Sequence, residues 1–272
     1  MSEPFPAPGV TVTRRSPDPD WQARPNDTIA TVSVDNQARL NCLSTSTVTA
    51  LREAVEELGR DPNVRAIVVT GAGDKSFIGG ADLRELGNLD HDGGRLYITN
   101  LHKACAAIRN APQPVIARVN GFCLGAGLEV AAACDMRAAA DTAVFGMPEV
   151  HMGLPSVIEA ALLPGLIGWG MTREILITGE TFDAARAAEM RFVERVIPKG
   201  DLDATVDGWL AAICRAAPEA VLSQKRLINR WQETSVNEGI KAGIDALAEA
   251  YDTGEPQQRI RDFFAAKAKH KG

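Results

Sequence analysis

Aromatic side chains are scarce in these 272 residues: Phe, Trp and Tyr together make up 5%. A surface that stacks nucleic-acid bases needs more of them. Basic charge is not in excess either. Twenty-nine Lys and Arg stand against 35 Asp and Glu, a net charge of −6. The chain therefore lacks the global footprint of a nucleic-acid or membrane-surface protein, although a local basic patch would suffice for a small anionic ligand. No run of about 18 uncharged apolar residues is present, so no membrane span is expected. The five cysteines are Cys42, Cys105, Cys123, Cys134 and Cys214. Their number is odd, and none has C-x-x-C or metal-ligand spacing. They read as buried free thiols in a reducing compartment, not as a disulfide framework or a metal site. The start of the chain shows no basic-then-apolar leader, and a cytoplasmic location is the expectation.

What is present is ordinary globular material, 45% apolar and 24% charged, in a length that suits one large domain with an appendage. Residues 1–27 hold six of the fifteen prolines and read as a flexible arm. Order is expected to begin at Thr28-Ile-Ala-Thr-Val-Ser-Val34, a β-branched strand. A helix is expected over Thr45–Leu58, with Leu51, Val55 and Leu58 on one stripe. Ala66–Thr70 and Val115–Val119 are short apolar runs and read as buried strands. A helix from about Gly93 to Arg109 lies between them. Short strands are expected at Met136–Ala139 and Ala143–Phe145, and helices dominate from Ser156 onward. The stretch from Pro218 divides into three helical patterns at turn signals such as Asp252-Thr-Gly-Glu-Pro256. No internal repeat is visible. Strands alternating with helices, followed by helices alone, predict a mixed α/β core carrying a C-terminal helical region.

Ligand sites in such a core form where strand ends meet helix N-termini. Two glycine-rich turns stand at that junction. The first is Phe77-Ile-Gly-Gly-Ala-Asp-Leu83, where a helix starting at Ala81 would aim unpaired N–H groups outward; Asp82 could equally serve the helix end. The second is Gly125-Ala-Gly127, which leads into Leu128-Glu129. Glu129 sits in an apolar run, where a carboxylate is costly unless paired or used. A third piece, Phe145-Gly-Met-Pro-Glu149, adds another carboxylate. Two backbone donor turns and two carboxylates together suit a reaction that builds and collapses an enolate beside a carbonyl.

These segments, with Arg39-Leu-Asn41-Cys-Leu43, Val119-Asn-Gly-Phe-Cys-Leu-Gly-Ala-Gly-Leu-Glu129, Cys134-Asp135 and Val193-Glu-Arg-Val-Ile-Pro198, resemble the enoyl-CoA hydratase/isomerase (crotonase) family from about Thr28 onward. The resemblance implies a crotonase-like spiral of ββα units over 28–214. It further implies a C-terminal helical trimerisation region over 215–272, giving a homotrimer or a dimer of trimers. It implies an acyl-CoA thioester as substrate and no separate cofactor, coenzyme A being part of the substrate, and no metal. It places the oxyanion hole on the backbone N–H groups of Ala81 and Ala126. The two hydratase carboxylates fall on Glu129, which would activate water toward C3, and Glu149, which would deliver a proton to C2. Substrate contacts are implied at Leu40, Leu43, Gly79, Gly80, Asp82, Arg84, Gly125 and Ser156. Hydration of a 2-enoyl-CoA is the activity so implied.

The chain departs from the family's pattern over Gly153–Pro164. Ser156 stands where relatives carry a glycine, and the segment is one residue shorter. This leaves room for another acyl-CoA reaction in the family, an isomerase, a hydrolase or a lyase. Ser156-Val-Ile-Glu159 reads as a capping box, and His151 reads as structural. Outside the family, Gly121-Phe-Cys123-Leu-Gly125 matches a nucleophile elbow with cysteine in place of serine. It lacks a suitably spaced downstream histidine: His151 comes too soon and His270 lies at the chain's end. A dinucleotide turn at Gly71-Ala-Gly73 fails because residue 76 is serine.

Overall fold

The computed structural model describes residues 9–269. The chain opens with β1 (Val10–Arg15) and β2 (Thr28–Val34), followed by α1 (Thr45–Arg60), β3 (Val64–Gly71), β4 (Ser76–Ile78), α2 (Leu83–Leu86) and α3 (His91–Asn110). Next come β5 (Val115–Val119), β6 (Phe122–Leu124), α4 (Ala126–Ala133), β7 (Met136–Ala140) and β8 (Val144–Gly146). Two 3-10 helices, Pro148–Met152 and Ile158–Leu162, lead into α5 (Leu163–Thr178). The remainder is β9 (Thr181–Asp183), α6 (Ala184–Glu189), β10 (Arg195–Ile197), α7 (Leu202–Arg215), α8 (Pro218–Glu233), α9 (Val236–Asp252) and α10 (Glu255–Lys269).

The strands divide between two sheets. One runs β1-β2-β3-β5-β7-β10 and the other β4-β6-β8-β9. The pairs β3–β4, β5–β6 and β7–β8 each contribute one strand to each sheet before the chain turns helical. The spiral thus advances by three ββ units, parallel from turn to turn. Every residue of β3 is buried, as expected for a parallel strand covered on both faces. The repeat is one of backbone path and not of residue identity, which is why the sequence shows none.

Residues 10–27 correct the expectation of a flexible arm. β1 pairs antiparallel with β2 from Val10↔Val34 to Arg15↔Ile29. Trp21 and Ala23 pack on a second apolar cluster built on α7 and the outer face of the large sheet. Asp27 is buried against the guanidinium of Arg65, Oδ2 to Nη1 at 3.0 Å. The other Arg65 amino group donates to the carbonyls of Ile213 and Ala216. Proline content misled here because three of the prolines, at 17, 19 and 25, bend the chain between ordered anchors. Residues 1–8 of the expected arm and His270 lie outside the described residues.

The Ile158–Thr178 stretch has the length and composition of a membrane span. It is broken at Gly168, whose φ of 76° and ψ of 159° are not helical. The helices from Pro218 onward expose large apolar side chains, among them Trp231, Ile240, Ile244, Leu247, Phe263 and Phe264.

Removing one member of a buried ion pair leaves the other charge uncompensated. Asp27→Ala should therefore destabilise the fold by about 3 kcal/mol, read as a lowered denaturant midpoint. A midpoint equal to the parent's would show that the Asp27–Arg65 pair does not anchor the N-terminal segment.

Candidate active site

The two glycine turns meet because the smaller sheet brings β4 and β6 side by side. At the first turn, Leu43 pairs with Ala81 as an isolated parallel bridge. Leu43 N–H donates to the Gly80 carbonyl and Asp82 N–H donates to the Leu43 carbonyl, each at 2.8 Å. In that pattern the N–H of Ala81 points away from Leu43, and it donates to no other backbone carbonyl among the described residues. The helix begins at Leu83, two residues later than the sequence suggested. Asp82 caps it, accepting from Arg84 N–H at 3.0 Å.

At the second turn, Ala126 is the first residue of α4, so its N–H has no partner within the helix. Gly125 precedes it with φ 50° and ψ −119°, a conformation that glycine adopts and other residues resist. A Cβ on Gly125 would also lie 2.5 Å from Glu149 Oε1. A Cβ on Gly127 would overlap the carbonyl oxygen of Ile78, so the absence of a side chain there lets the turns touch.

Both turns open onto a cleft of about 730 Å³. Its walls include Leu40, Gly79, Gly80, Ala81, Asp82, Arg84, Gly125, Ala126, Glu129, Glu149 and Ser156. Eleven of the twelve sequence-named positions are thus brought together. Leu43 is the exception. It is fully buried behind the first turn, where its carbonyl accepts from the Tyr97 hydroxyl at 2.8 Å. Its place is structural because the bridge to Ala81 turns it inward. Asp82 also accepts from Arg39 Nη1 at 2.7 Å. Burial pushes its carboxyl upward, but the Arg39 guanidinium and the Arg84 N–H outweigh this and hold it below the usual range. Arg84 is exposed at the cleft and forms no ion pair among the described residues.

Glu129 is 4% exposed. Burial pushes its carboxyl up to about 9, the Ala160 N–H bond opposes this, and the charges of Glu149 and Glu159 add to it. Ala160 N–H reaches Glu129 Oε1 at 3.2 Å. Glu149 is held from the other side by the Ser156 hydroxyl, which donates to Oε2 at 2.8 Å. That bond overturns the capping-box reading of Ser156. The helix there begins after Val157 with no side-chain cap, and Glu159 turns inward toward His102, Nδ1 to Oε1 at 3.0 Å. His151 lies outside the cleft walls, near Gly179.

The Cys123 alternative fails on chemistry. Its thiol is fully buried and donates to the Gly127 carbonyl at 3.4 Å. Burial pushes it well above the ordinary thiol range, the reverse of what a nucleophile needs. Tyr97, Ile98 and Leu101 of α3 also line the cleft. Sequence reasoning missed them, since their helical stripe is indistinguishable from an ordinary core face.

Two free N–H donors and two carboxyls facing one apolar cleft define an enzyme site that stabilises negative charge on a carbonyl oxygen while protons move beside it. The family model for enoyl-CoA hydratase/isomerase matches residues 24–271, and the chain belongs to that family. It is 32% identical over 245 residues to the short-chain-enoyl-CoA hydratase of Clostridium acetobutylicum, covering 90% of this chain and 94% of the relative. It is 31% identical over 236 residues to the crotonyl-CoA hydratase of Syntrophomonas wolfei, covering 86% and 91%. Among solved structures, the enoyl-CoA hydratase of Bacillus anthracis superposes with a TM-score of 0.81 at 28% identity, covering 88% of this chain and 90% of that one.

The unfolded Glu129 carboxyl ionises near 4.5 and the folded one near 9. Between those values the folded state holds the extra proton, so its stability falls as pH rises. Glu129→Gln removes that loss. Its melting temperature should exceed the parent's by an amount that grows from about pH 5 to about pH 9. A difference that stays constant with pH would show that burial does not hold the proton on Glu129.

Proposed function

We propose that the protein is an enoyl-CoA hydratase, adding water across the 2,3 double bond of a 2-enoyl-CoA thioester. The observation that carries this is the pair Glu129 and Glu149 facing the same cleft as the Ala81 and Ala126 N–H groups. An isomerisation requires one group to move a proton, whereas hydration requires an acceptor for the water's proton and a donor for C2. Retention of both carboxyls, and the hydratase names of the relatives, favour hydration over the isomerase, hydrolase and lyase alternatives.

The thioester carbonyl sits between the two N–H donors, each worth about 3 kcal/mol toward the developing oxyanion. In the resting site the proton lies on Glu129. Transfer of that proton to Glu149 through a bound water makes Glu129 the base, and Ala160 N–H stabilises the carboxylate so formed. Glu129 then takes a proton from the attacking water, the hydroxyl bonds to C3, and the π electrons pass to the thioester oxygen as an enolate. Collapse of the enolate draws the Glu149 proton to C2. Glu129 ends protonated again and Glu149 has given up the proton it received, which restores the starting state, so the two groups act as a coupled pair. Hydration breaks one O–H bond of water and the C2–C3 π bond and forms one C–O and one C–H bond, with no net oxidation or reduction, so the step calls for no redox cofactor. The N–H donors occupy the place a Lewis acid would take.

Leu83, Met152, Leu154 and Val157 leave the cleft mouth apolar, and Arg84, exposed on the cleft wall, offers a cation for coenzyme A phosphates. The exposed apolar faces of α8 to α10 suit the homotrimer or dimer of trimers that the family resemblance implies. Four of the five free thiols are buried, and Cys42, expected to be buried, is half-buried on the cleft wall; this set suits a reducing compartment such as the cytoplasm.

Hydration is followed as loss of the conjugated-thioester absorbance of a short 2-enoyl-CoA. Glu129→Gln and Glu149→Gln should each lower kcat by about 10²–10⁴-fold, with a much smaller change in KM. Tight acyl-CoA binding without turnover in the parent would refute the hydratase reading. Separately, deletion from Pro218 onward should yield a smaller or insoluble species in sedimentation. A truncated chain that still sediments at the parent's assembly size would refute the role given to the C-terminal helices.

A further inference from the structure

Glu159 is 3% exposed, yet its Oε2 has no hydrogen-bond partner among the described residues. A buried carboxylate with an orphaned oxygen costs stability, and an apolar side chain of similar size would fill the same space without that cost. Its other oxygen meets His102 Nδ1 at 3.0 Å. Neither Glu159 nor His102 lines the cleft, so neither is placed to touch substrate.

The backbone around Glu159 is strained. Ile158 has φ 39°, a left-handed conformation that a β-branched residue adopts only when its surroundings enforce it. That turn delivers the next N–H but one. Ala160 N–H is shared between the Val157 carbonyl at 2.9 Å and Glu129 Oε1 at 3.2 Å. The side chain immediately before Ala160 is therefore fastened to α3, while Ala160 itself contacts the buried carboxyl on α4. Other titratable groups around this point are Glu149 from the Pro148–Met152 helix and Arg109 and Tyr97 from α3. The charges of α5, Arg173 and Glu174, lie on its exposed side.

We propose that Glu159 and His102 form a latch that holds the strained 157–160 turn in place, so that Ala160 N–H stays on Glu129 and steadies it as the base; Glu159 and His102 are positioning residues. This inference rests on the hydratase reading for its catalytic consequence. Its structural content stands without substrate.

The test combines both. Amide exchange at Ala160 is measured in the substrate-free protein for the parent, Glu159→Leu, Glu159→Gln and His102→Ala. Gln keeps an acceptor for His102, whereas Leu does not. Exchange should quicken about tenfold or more in Glu159→Leu and His102→Ala, and stay within about twofold of the parent in Glu159→Gln. On crotonyl-CoA, kcat should fall about tenfold in the first two variants with KM within about twofold, as for loss of a hydrogen bond to a charged group. Glu159→Gln should restore it. The His102→Ala/Glu159→Leu double variant should be no slower than either single one. His102 is half exposed, so its variant carries the test if Glu159→Leu does not fold. Parent-like exchange in every variant, or a Gln variant as quick as Leu, overturns the latch. Quickened exchange with an unchanged kcat overturns its role toward Glu129. Because exchange is read without substrate, its outcome is separate from failure of the hydratase reading.

Discussion

The structure depends on a contact between two glycine turns. Gly127 lies so close to the Ile78 carbonyl that no side chain fits between them. This approach lets α4 start directly beside the end of β4, and it sets the N–H groups of Ala81 and Ala126 on one cleft. The donors are backbone groups, so their aim is determined by strand pairing and helix start, not by rotamers. Such donors need no reorganisation when charge develops. The ββ units of the spiral are the means of repeating that junction at a fixed spacing.

Around this rigid pair of donors the chain places its carboxyls in unfavourable surroundings. Glu129 and Glu159 are both buried, and neither forms a salt bridge with Lys or Arg. In a purely structural core, two such groups, one within α4 and one in the 3-10 helix before α5, would cost stability without return. Elsewhere among the described residues, buried charged side chains are paired. Arg137 spends its guanidinium on Glu194 and on the carbonyls of Phe192, Ala131 and Cys134. Lys225 pairs with Asp135 and donates to two carbonyls. The contrast between answered and unanswered charge separates scaffold from site.

The buried strands and long helices were legible because their periods are local. Thr28–Val34 and Val115–Val119 emerge at the expected bounds; α1 runs two residues past its expected end, and α3 starts two residues early and ends one late. The N-terminal segment was misread because its order is conferred from outside. β1 needs β2 beside it, and Asp27 needs Arg65, 38 residues later. Ser156 and Glu159 were misread for a related reason. Their spacing satisfies a local capping rule, but Glu149 and His102 compete for them and win.

The sequence by itself determined the α/β class, the two glycine junctions and the two carboxyls of the site, because each rests on residue type within a few positions. Only the tertiary structure decided which groups share the cleft. It drew Leu43 out of the site, turned Ser156 onto Glu149, and set Ala160 N–H and the Glu159–His102 pair behind Glu129. Hydrogen bonds between side chains distant in sequence carry no periodic signal, so their partners emerge only when strands and helices are packed.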